Sequence, residues 1–324
     1  MNSAFYPLLT LVLFLIAWGY FRLARQYGIL DQPNHRSLHQ EPTIRGGGIL
    51  FPVAVALYFV LDQPNNWGFL LGLLAIAMVG FFDDLRNLSR IVRFGVQALA
   101  MALVFYELQV IAHTGWLALL LWIVAIGTVN AYNFMDGING MTAGYTLVAL
   151  LSLLYIDAFV VDFVTDRLVW VMVTAVCVFG FFNFRKKAVC FAGDVGSLSM
   201  GFAVIYLILK LIMVSHQYAY ILLLAVYGVD SVLTIVHRLL LRQNIFQAHK
   251  LHLYQVIISA RQTPHLPMAT AYLLVQLLFN ALLIYTGTHH HEAFNTVGLL
   301  MLVGLGAGYL LLKTWILKSA GNVV

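Results

Sequence analysis

Four aspartates stand at places where an apolar chain accommodates charge poorly. Asp83 and Asp84 close an apolar run in Gly-Phe-Phe-Asp-Asp-Leu, Asp136 sits in Asn-Ala-Tyr-Asn-Phe-Met-Asp-Gly-Ile-Asn-Gly, and Asp194 lies in Phe-Ala-Gly-Asp-Val-Gly-Ser. Carboxylates at membrane depth are costly and are functional candidates by default. Three separate apolar segments would bring these acids to one membrane level on one side, which is how a helix bundle assembles a site for a hard divalent cation from distant stretches of chain. Each motif also has a plainer reading. Adjacent aspartates at a helix end are often a solvated boundary, and Gly193 to Ser197 in isolation reads as a helix-start loop with Ser197 as cap. The segment Asn130 to Gly140 resists such a reading, because polar and glycine positions interrupt an apolar chain there, and irregular backbone at that depth must line a cavity or water.

Other residues are placed to handle anions. Arg45 precedes Gly46-Gly47-Gly48, whose backbone can approach a phosphate or a neighbouring helix closely, helix packing being the stronger expectation for a lone glycine run. His249 and His252 lie in Phe-Gln-Ala-His-Lys-Leu-His-Leu-Tyr-Gln, where one or two histidines would ordinarily be surface residues. His289, His290 and His291 look like a metal cluster but fall away from every paired acid, and are read as loop. Cys177 and Cys190 have neither metal-like nor redox spacing.

The elements that must position these groups are membrane helices. Of 324 residues, 62% are hydrophobic and 10% charged, with a mean hydropathy of +0.89, outside soluble globular usage. Eleven stretches approach the ~20 apolar residues that a hydrocarbon layer requires: Phe5 to Phe21, Gly46 to Leu61, Trp67 to Phe82, Phe94 to Ala112, Trp116 to Ala131, Thr142 to Val161, Leu168 to Phe182, Leu198 to Ser215, Tyr218 to Ile235, Pro267 to Thr286 and Val297 to Ile316. The expected fold is an all-α polytopic bundle of one domain, residues 1–324, with no internal repeat and a long loop at 236–266 carrying His249 and His252. The first stretch lacks a preceding basic region and a following small-residue cleavage site, so it is expected to be a retained anchor.

Orientation follows from Lys and Arg, which cytoplasmic loops retain. Arg22, Arg25, Arg36, Arg45, Arg86, Arg90, Arg93, Arg185, Lys186, Lys187, Arg238, Arg242, Lys250 and Arg261 fall in odd-numbered connections and Lys313 and Lys318 at the C-terminus, whereas the even-numbered connections hold only Arg167. The N-terminus is therefore expected outside, and the C-terminus, like the four aspartates, on the cytoplasmic side. Lys210, deep in the eighth stretch, is the misfit and is expected to snorkel or to have a buried partner. The same bias accounts for most of the excess behind a pI near 9.2, so nucleic acid is not the expected partner.

With these residues in order, the sequence resembles the polyprenyl-phosphate N-acetylhexosamine-1-phosphate transferases. That family includes initiators of O-antigen and teichoic acid synthesis and the peptidoglycan-precursor translocase. The resemblance runs through Asp31-Gln32-Pro33-Asn34-His35-Arg36 with Arg45 to Gly48, then Phe82-Asp83-Asp84, Asn130 to Gly140, Phe191 to Ser197 and Ala248 to Gln255. Its His252-Leu253-Tyr254-Gln255 ending looks like the O-antigen-initiating subgroup. Asn87 and Asn139 depart from acids that many relatives carry at those places.

The resemblance implies a bacterial inner-membrane enzyme that moves an N-acetylhexosamine-1-phosphate from a UDP-amino sugar to undecaprenyl or another polyprenyl phosphate, releasing UMP. It implies Mg²⁺, with Mn²⁺ as a substitute, held by Asp194 with Asn133. Asp83 and Asp84 would position the acceptor and support the metal, or act as base, and His252 with Arg45 and His249 would bind diphosphate oxygens. Phe191 and Asn139 would hold the uracil, while Asn130 and Asp136 belong to the substrate-binding set. A homodimer is a further implication. The competing readings are a transporter or flippase without transferase chemistry, which inverted repeats and midplane charges would favour, and the peptidoglycan-precursor translocase within the same family.

Overall fold

The computed structural model describes residues 4–33, 41–245, 247 and 249–319. Asn34, His35 and Arg36 of the first matched motif, and Ala248 of the last, lie outside the described residues.

Each of the eleven apolar stretches is a helix: α1 (Phe5–Gln26), α2 (Leu50–Asp62), α3 (Trp67–Arg86), α4 (Arg90–Glu107), α6 (Leu117–Met135), α7 (Met141–Phe159), α8 (Asp166–Asn183), α9 (Gly193–Ser215), α10 (Ala225–Leu240), α12 (His265–His289) and α13 (Phe294–Ser319). Two short helices, α5 (Val110–Thr114) and α11 (Leu253–Arg261), complete the described set. Among the described residues, nine helical segments are long and apolar enough to cross a membrane; Gly47–Asp62 is shorter, and α4 carries Arg90, Arg93 and Glu107. The fold is an all-α polytopic membrane bundle. Its strands among the described residues are Leu30–Asp31 and Thr43–Ile44, paired antiparallel.

α9 is the axis of the bundle and is almost wholly buried. α2, α3, α6 and α7 pack around it, α8 lies against α2 and α7, and α12 lies against α7. Near one end of the core, Phe69 of α3 stacks on Tyr206 of α9 with ring centroids 4.1 Å apart. A smaller core of Val229, Leu253, Val256, Tyr309 and Ile316 joins α10, α11 and α13 and holds the histidine-bearing segment. α13 is otherwise mostly exposed along its apolar length.

The expected span edges shift where charge extends a helix. α3 continues past Phe82 to Arg86, so Asp83 and Asp84 are helical, and α4 starts at Arg90 because Ser89 caps it through the Val92 N–H (3.4 Å). α6 runs to Met135, which narrows the irregular part of Asn130 to Gly140 to residues 136–140. α9 begins at Gly193, before Leu198. Ser197 does not cap it: its hydroxyl bonds back to the Gly193 carbonyl (2.9 Å), and the first amides of the helix are met from α3. In the 236–266 connection, α10 persists to Leu240 and α11 occupies Leu253–Arg261.

Lys210 lies about 25 Å along α9 from Gly193, at 1.5 Å per residue, near the end away from the aspartates. Glu107, at the end of α4, stands toward the same end of the bundle. It accepts from the amides of Gly68 (2.7 Å) and Phe69 (3.2 Å), satisfying the first turn of α3. His289 ends the 25-residue α12, about 36 Å along that helix from His265 at the aspartate end.

Candidate active site

Asp84 does two jobs with two oxygens. Oδ1 accepts from the Asp194 amide (2.9 Å) and Oδ2 from the Val195 amide (3.1 Å), so the carboxylate caps α9 where the helix dipole favours negative charge. Oδ1 also receives the Arg45 Nε at 2.7 Å. Asp84 is therefore committed to holding Arg45 and the α9 N-terminus.

Arg45 reaches this place through the short strand pair. The Tyr20 hydroxyl of α1 donates to the Arg45 carbonyl (2.6 Å), and Ile44 pairs with Cys190, so the Phe191 amide donates to the Ile44 carbonyl (2.8 Å). The amides of Gly47 and Gly48 donate to the carbonyls of Phe191 (2.8 Å) and Ala192 (3.0 Å). A Cβ on Gly48 would stand 2.4 Å from the Gly196 Cα, so these glycines serve backbone-to-backbone packing, the stronger of the two expectations for that run.

Asp83 turns the other way. Oδ1 accepts from the Leu88 amide (2.5 Å), and Oδ2 meets Arg93 Nη1 at 2.6 Å. The same Nη1 lies 3.4 Å from Asp194 Oδ2, so Arg93 bridges the carboxyls of Asp83 and Asp194. Asn133 Nδ2 donates to Asp194 Oδ1 (2.8 Å) and to Ser197 Oγ (3.1 Å), and Arg45 Nη2 is 3.8 Å from Asp194 Oδ1. Asp194 is thus the centre of the cluster, reached by α3, α4, α6 and the segment before α2.

Two cavities flank it. The first, about 240 Å³, is lined by Arg45, Asn133, Asp136, Asn139, Phe191 and Asp194 among others. It continues past Asn139, Phe191 and His265 toward Lys186 and Lys187. The second, about 520 Å³, is lined by Arg90, Arg93, Asn130, His249 and His252 together with Phe94, Phe134, Leu198 and Ile235. Asn133 and Gln255 line both. Phe94 and Phe134 are half exposed on the flank of the bundle, which gives the second cavity an apolar side. Arg45 and the two histidines, expected to act together, are placed in different cavities.

Other expected residues are supporting groups as well as lining. Asn139 Nδ2 donates to the carbonyls of Arg185 (2.9 Å) and Lys186 (3.1 Å), fixing the loop before Phe191. Asn130 Nδ2 donates to Gln97 Oε1 (2.8 Å). Asp136 accepts from the Thr142 hydroxyl (2.6 Å), and burial pushes its carboxyl up to about 7. His249 Nδ1 accepts from the Leu251 amide (3.3 Å); burial, with the neighbouring His252, Arg238 and Lys313, pushes it down to about 4, so it is neutral at pH 7.

Sequence reasoning missed Arg93, Gln255 and Asn183. Arg93 belongs to the spaced set Arg86, Arg90, Arg93, which the charge bias alone explained. Asn183 bridges the Gly140 amide (2.8 Å) and the Cys190 carbonyl (2.9 Å), a role set by residues remote in sequence. It also missed Asp230, buried in α10 within an apolar run, to which the rule that singled out the other aspartates applies equally.

Among the described residues no three His, Cys, Asp or Glu side chains stand together as a ready metal cage. The donor set nevertheless suits Mg²⁺, which takes oxygen ligands, keeps several waters and is commonly held by one or two carboxylates plus substrate phosphates. Asp194 and Asp83 supply adjacent carboxylates, and Asn133 orients the first of them.

The match to known proteins lies over this framework. A family model described as glycosyl transferase family 4 matches residues 66–212, from the start of α3 through most of α9. Over that stretch the chain is similar to glycosyl transferase family 4. It is 26% identical, over 78% of its length and 76% of the relative's, to a Bacillus subtilis (strain 168) protein named probable undecaprenyl-phosphate N-acetylglucosaminyl 1-phosphate transferase. An undecaprenyl-phosphate alpha-N-acetylglucosaminyl 1-phosphate transferase of Escherichia coli O157:H7 is 24% identical over 95% of this chain and 91% of that one. A phospho-N-acetylmuramoyl-pentapeptide-transferase of Streptococcus equi subsp. zooepidemicus is 31% identical over 53% of this chain and 59% of its own.

Proposed function

We propose that this protein is a family-4 glycosyl transferase that moves an N-acetylhexosamine-1-phosphate from a UDP-amino sugar to undecaprenyl phosphate, giving UMP and a lipid diphosphate sugar that starts a surface glycan of the O-antigen kind, at the cytoplasmic face of a bacterial inner membrane. The observation that carries the reading is the pair of cavities meeting at Asn133 beside Asp194, one polar and one with an apolar flank. A soluble nucleotide sugar suits the first. A phosphate on a long apolar tail suits the second, where Arg90 and Arg93 stand near exposed Phe94 and Phe134. The Lys and Arg bias among the connections supports the cytoplasmic side.

Phosphoryl transfer is chiefly positioning and charge stabilisation. A Mg²⁺ ion bound at Asp194 and Asp83 would neutralise diphosphate charge. Arg45, fixed by Asp84, would hold the donor phosphates, and Phe191 would offer its ring face to the uracil. Arg93 stands between Asp83 and Asp194 and would meet the acceptor phosphate as it enters, so that the acceptor oxygen attacks the sugar-bound phosphorus and UMP departs into the first cavity. Asp84 has no oxygen to spare for proton transfer, which favours the positioning role for the aspartate pair over a base role.

The experiment is a division of kinetic constants between the cavities. Phe191→Ala is expected to raise the KM for the UDP-sugar by about tenfold, the scale of one lost stacking contact, and to leave that for undecaprenyl phosphate unchanged. His249→Ala is expected to do the reverse. The opposite pattern would reverse the cavity assignment, and no effect of either would remove it.

A further inference from the structure

Asp230, 1% exposed, is a point where three helices and a loop converge. Oδ2 accepts from the Tyr272 hydroxyl of α12 (2.7 Å), and Oδ1 from the Tyr309 hydroxyl of α13 (3.1 Å) and from Thr234 (3.2 Å). The Leu253 amide, at the start of α11, reaches both oxygens at 3.1 and 3.2 Å. Lys313 of α13 donates to the Leu251 carbonyl (2.6 Å) and to the Tyr309 hydroxyl (3.0 Å), tying the segment before α11 to the same hub. Capping α11 needs only an acceptor for the Leu253 amide. The hub does more, because Asp230 Oδ1 also stands 3.1 Å from Nδ1 of His252, and His252 lines the second cavity.

We propose that Asp230 is the positioning residue for His252: it holds the ring with its proton on Nδ1, so that Nε2 is the nitrogen presented to the acceptor phosphate. A bare Nδ1 would set a lone pair against an anion, whereas Nδ1–H makes a charge-assisted bond. The Gln255 amide also faces this side chain and would favour a bare Nδ1, but a neutral donor is the weaker partner. Nε2 is then an acceptor suited to a lipid phosphate oxygen that still carries its proton. As that oxygen bonds to the sugar-linked phosphorus and the bond from that phosphorus to UMP breaks, the proton passes to Nε2 and the resulting imidazolium faces the Asp230 carboxylate. The neighbouring His249 has the opposite arrangement, its Nδ1 accepting from the Leu251 amide, so the two rings, 5.0 Å apart, offer a phosphate one donor and one acceptor.

This inference rests on the second cavity being the acceptor site, so its test has one arm that needs no turnover. In wild-type protein labelled with ¹⁵N-histidine in nanodiscs, the signal absent from His252→Gln is expected to show the Nδ1–H tautomer; an Nε2–H tautomer overturns the proposal, whether or not Asp230→Asn folds. In the kinetic arm, UMP release from a UDP-amino sugar and undecaprenyl phosphate is expected to fall about 10²-fold in kcat for Asp230→Asn, the scale on which a misheld catalytic imidazole costs rate, with the KM for the UDP-sugar unchanged. Asp230→Asn added to His252→Gln is expected to cost nothing further, since one residue acts through the other. An equal loss in both backgrounds would make Asp230 merely structural and overturn the proposal. If wild-type protein releases no UMP with any UDP-amino sugar, the functional reading fails while the tautomer still decides the Asp230–His252 pairing.

Discussion

Adjacent helical residues point about 100° apart around the axis, which is why Asp83 and Asp84 serve different partners. Asp84 faces α9 and Arg45, Asp83 faces Arg93 and Asp194. Asp136 shows how placement alters chemistry at the scale of one side chain. Burial raises its carboxyl to about 7, above the ~3.9 of an unfolded chain. Its contribution to stability is therefore full below about pH 4 and is lost as pH rises through about 7. Asp136→Asn, which keeps an acceptor for Thr142, is expected to gain in unfolding temperature relative to wild type as pH goes from 5 to 8, measured in detergent without substrates or divalent metal. A difference independent of pH would mean that the carboxyl is not desolvated. Residue types at the site were legible in the sequence because an acid is conspicuous against an apolar background. Their partners were not: Asp84 meets an amide 110 positions away, and Asp230 was concealed within a single long apolar run.

At the scale of elements, each of the eleven stretches that hydropathy marked is helical among the described residues, since burying backbone in hydrocarbon leaves a helix as the available solution for such segments. Edges were less legible because a helix end is decided by its cap. The cap of α9 comes from α3, and that of α3 comes from Glu107 at the end of α4. The join between the Arg45 segment and α9 depends on close backbone contact at Gly48 and Gly196. Gly48→Ala places a methyl against backbone that has no side chain to move aside, and is expected to destabilise by about 1–3 kcal/mol, the usual cost of overpacking. Gly95→Ala, in α4 with open space around it, is expected to be neutral or to stabilise by up to about 1 kcal/mol. Thermal unfolding of the two variants side by side checks this; equal effects would show that the Gly48 contact is slack.

For the whole molecule, the aspartate end gathers Arg45, Arg93, Asp83, Asp136, Asp194 and His252 from segments spanning most of the chain, while Lys210, Glu107 and His289 lie toward the other end. The positive-charge pattern anticipated the separation of the aspartates from His289, because the insertion bias acts on sequence directly, while Lys210 stood outside that pattern. The meeting of two cavities at Asn133 was not legible, since it depends on how α4, α6, α9 and α10 pack. That meeting is the central claim, and it demands that both substrates and a divalent ion act together at Asp194. The most direct measurement is UMP release by purified protein given undecaprenyl phosphate and each of several UDP-amino sugars, with and without Mg²⁺, beside Asp194→Asn. The account predicts UMP only when lipid, donor and Mg²⁺ are all present, with a loss of at least about 10²-fold in Asp194→Asn. UMP released without the lipid, or undiminished turnover in Asp194→Asn, would contradict it.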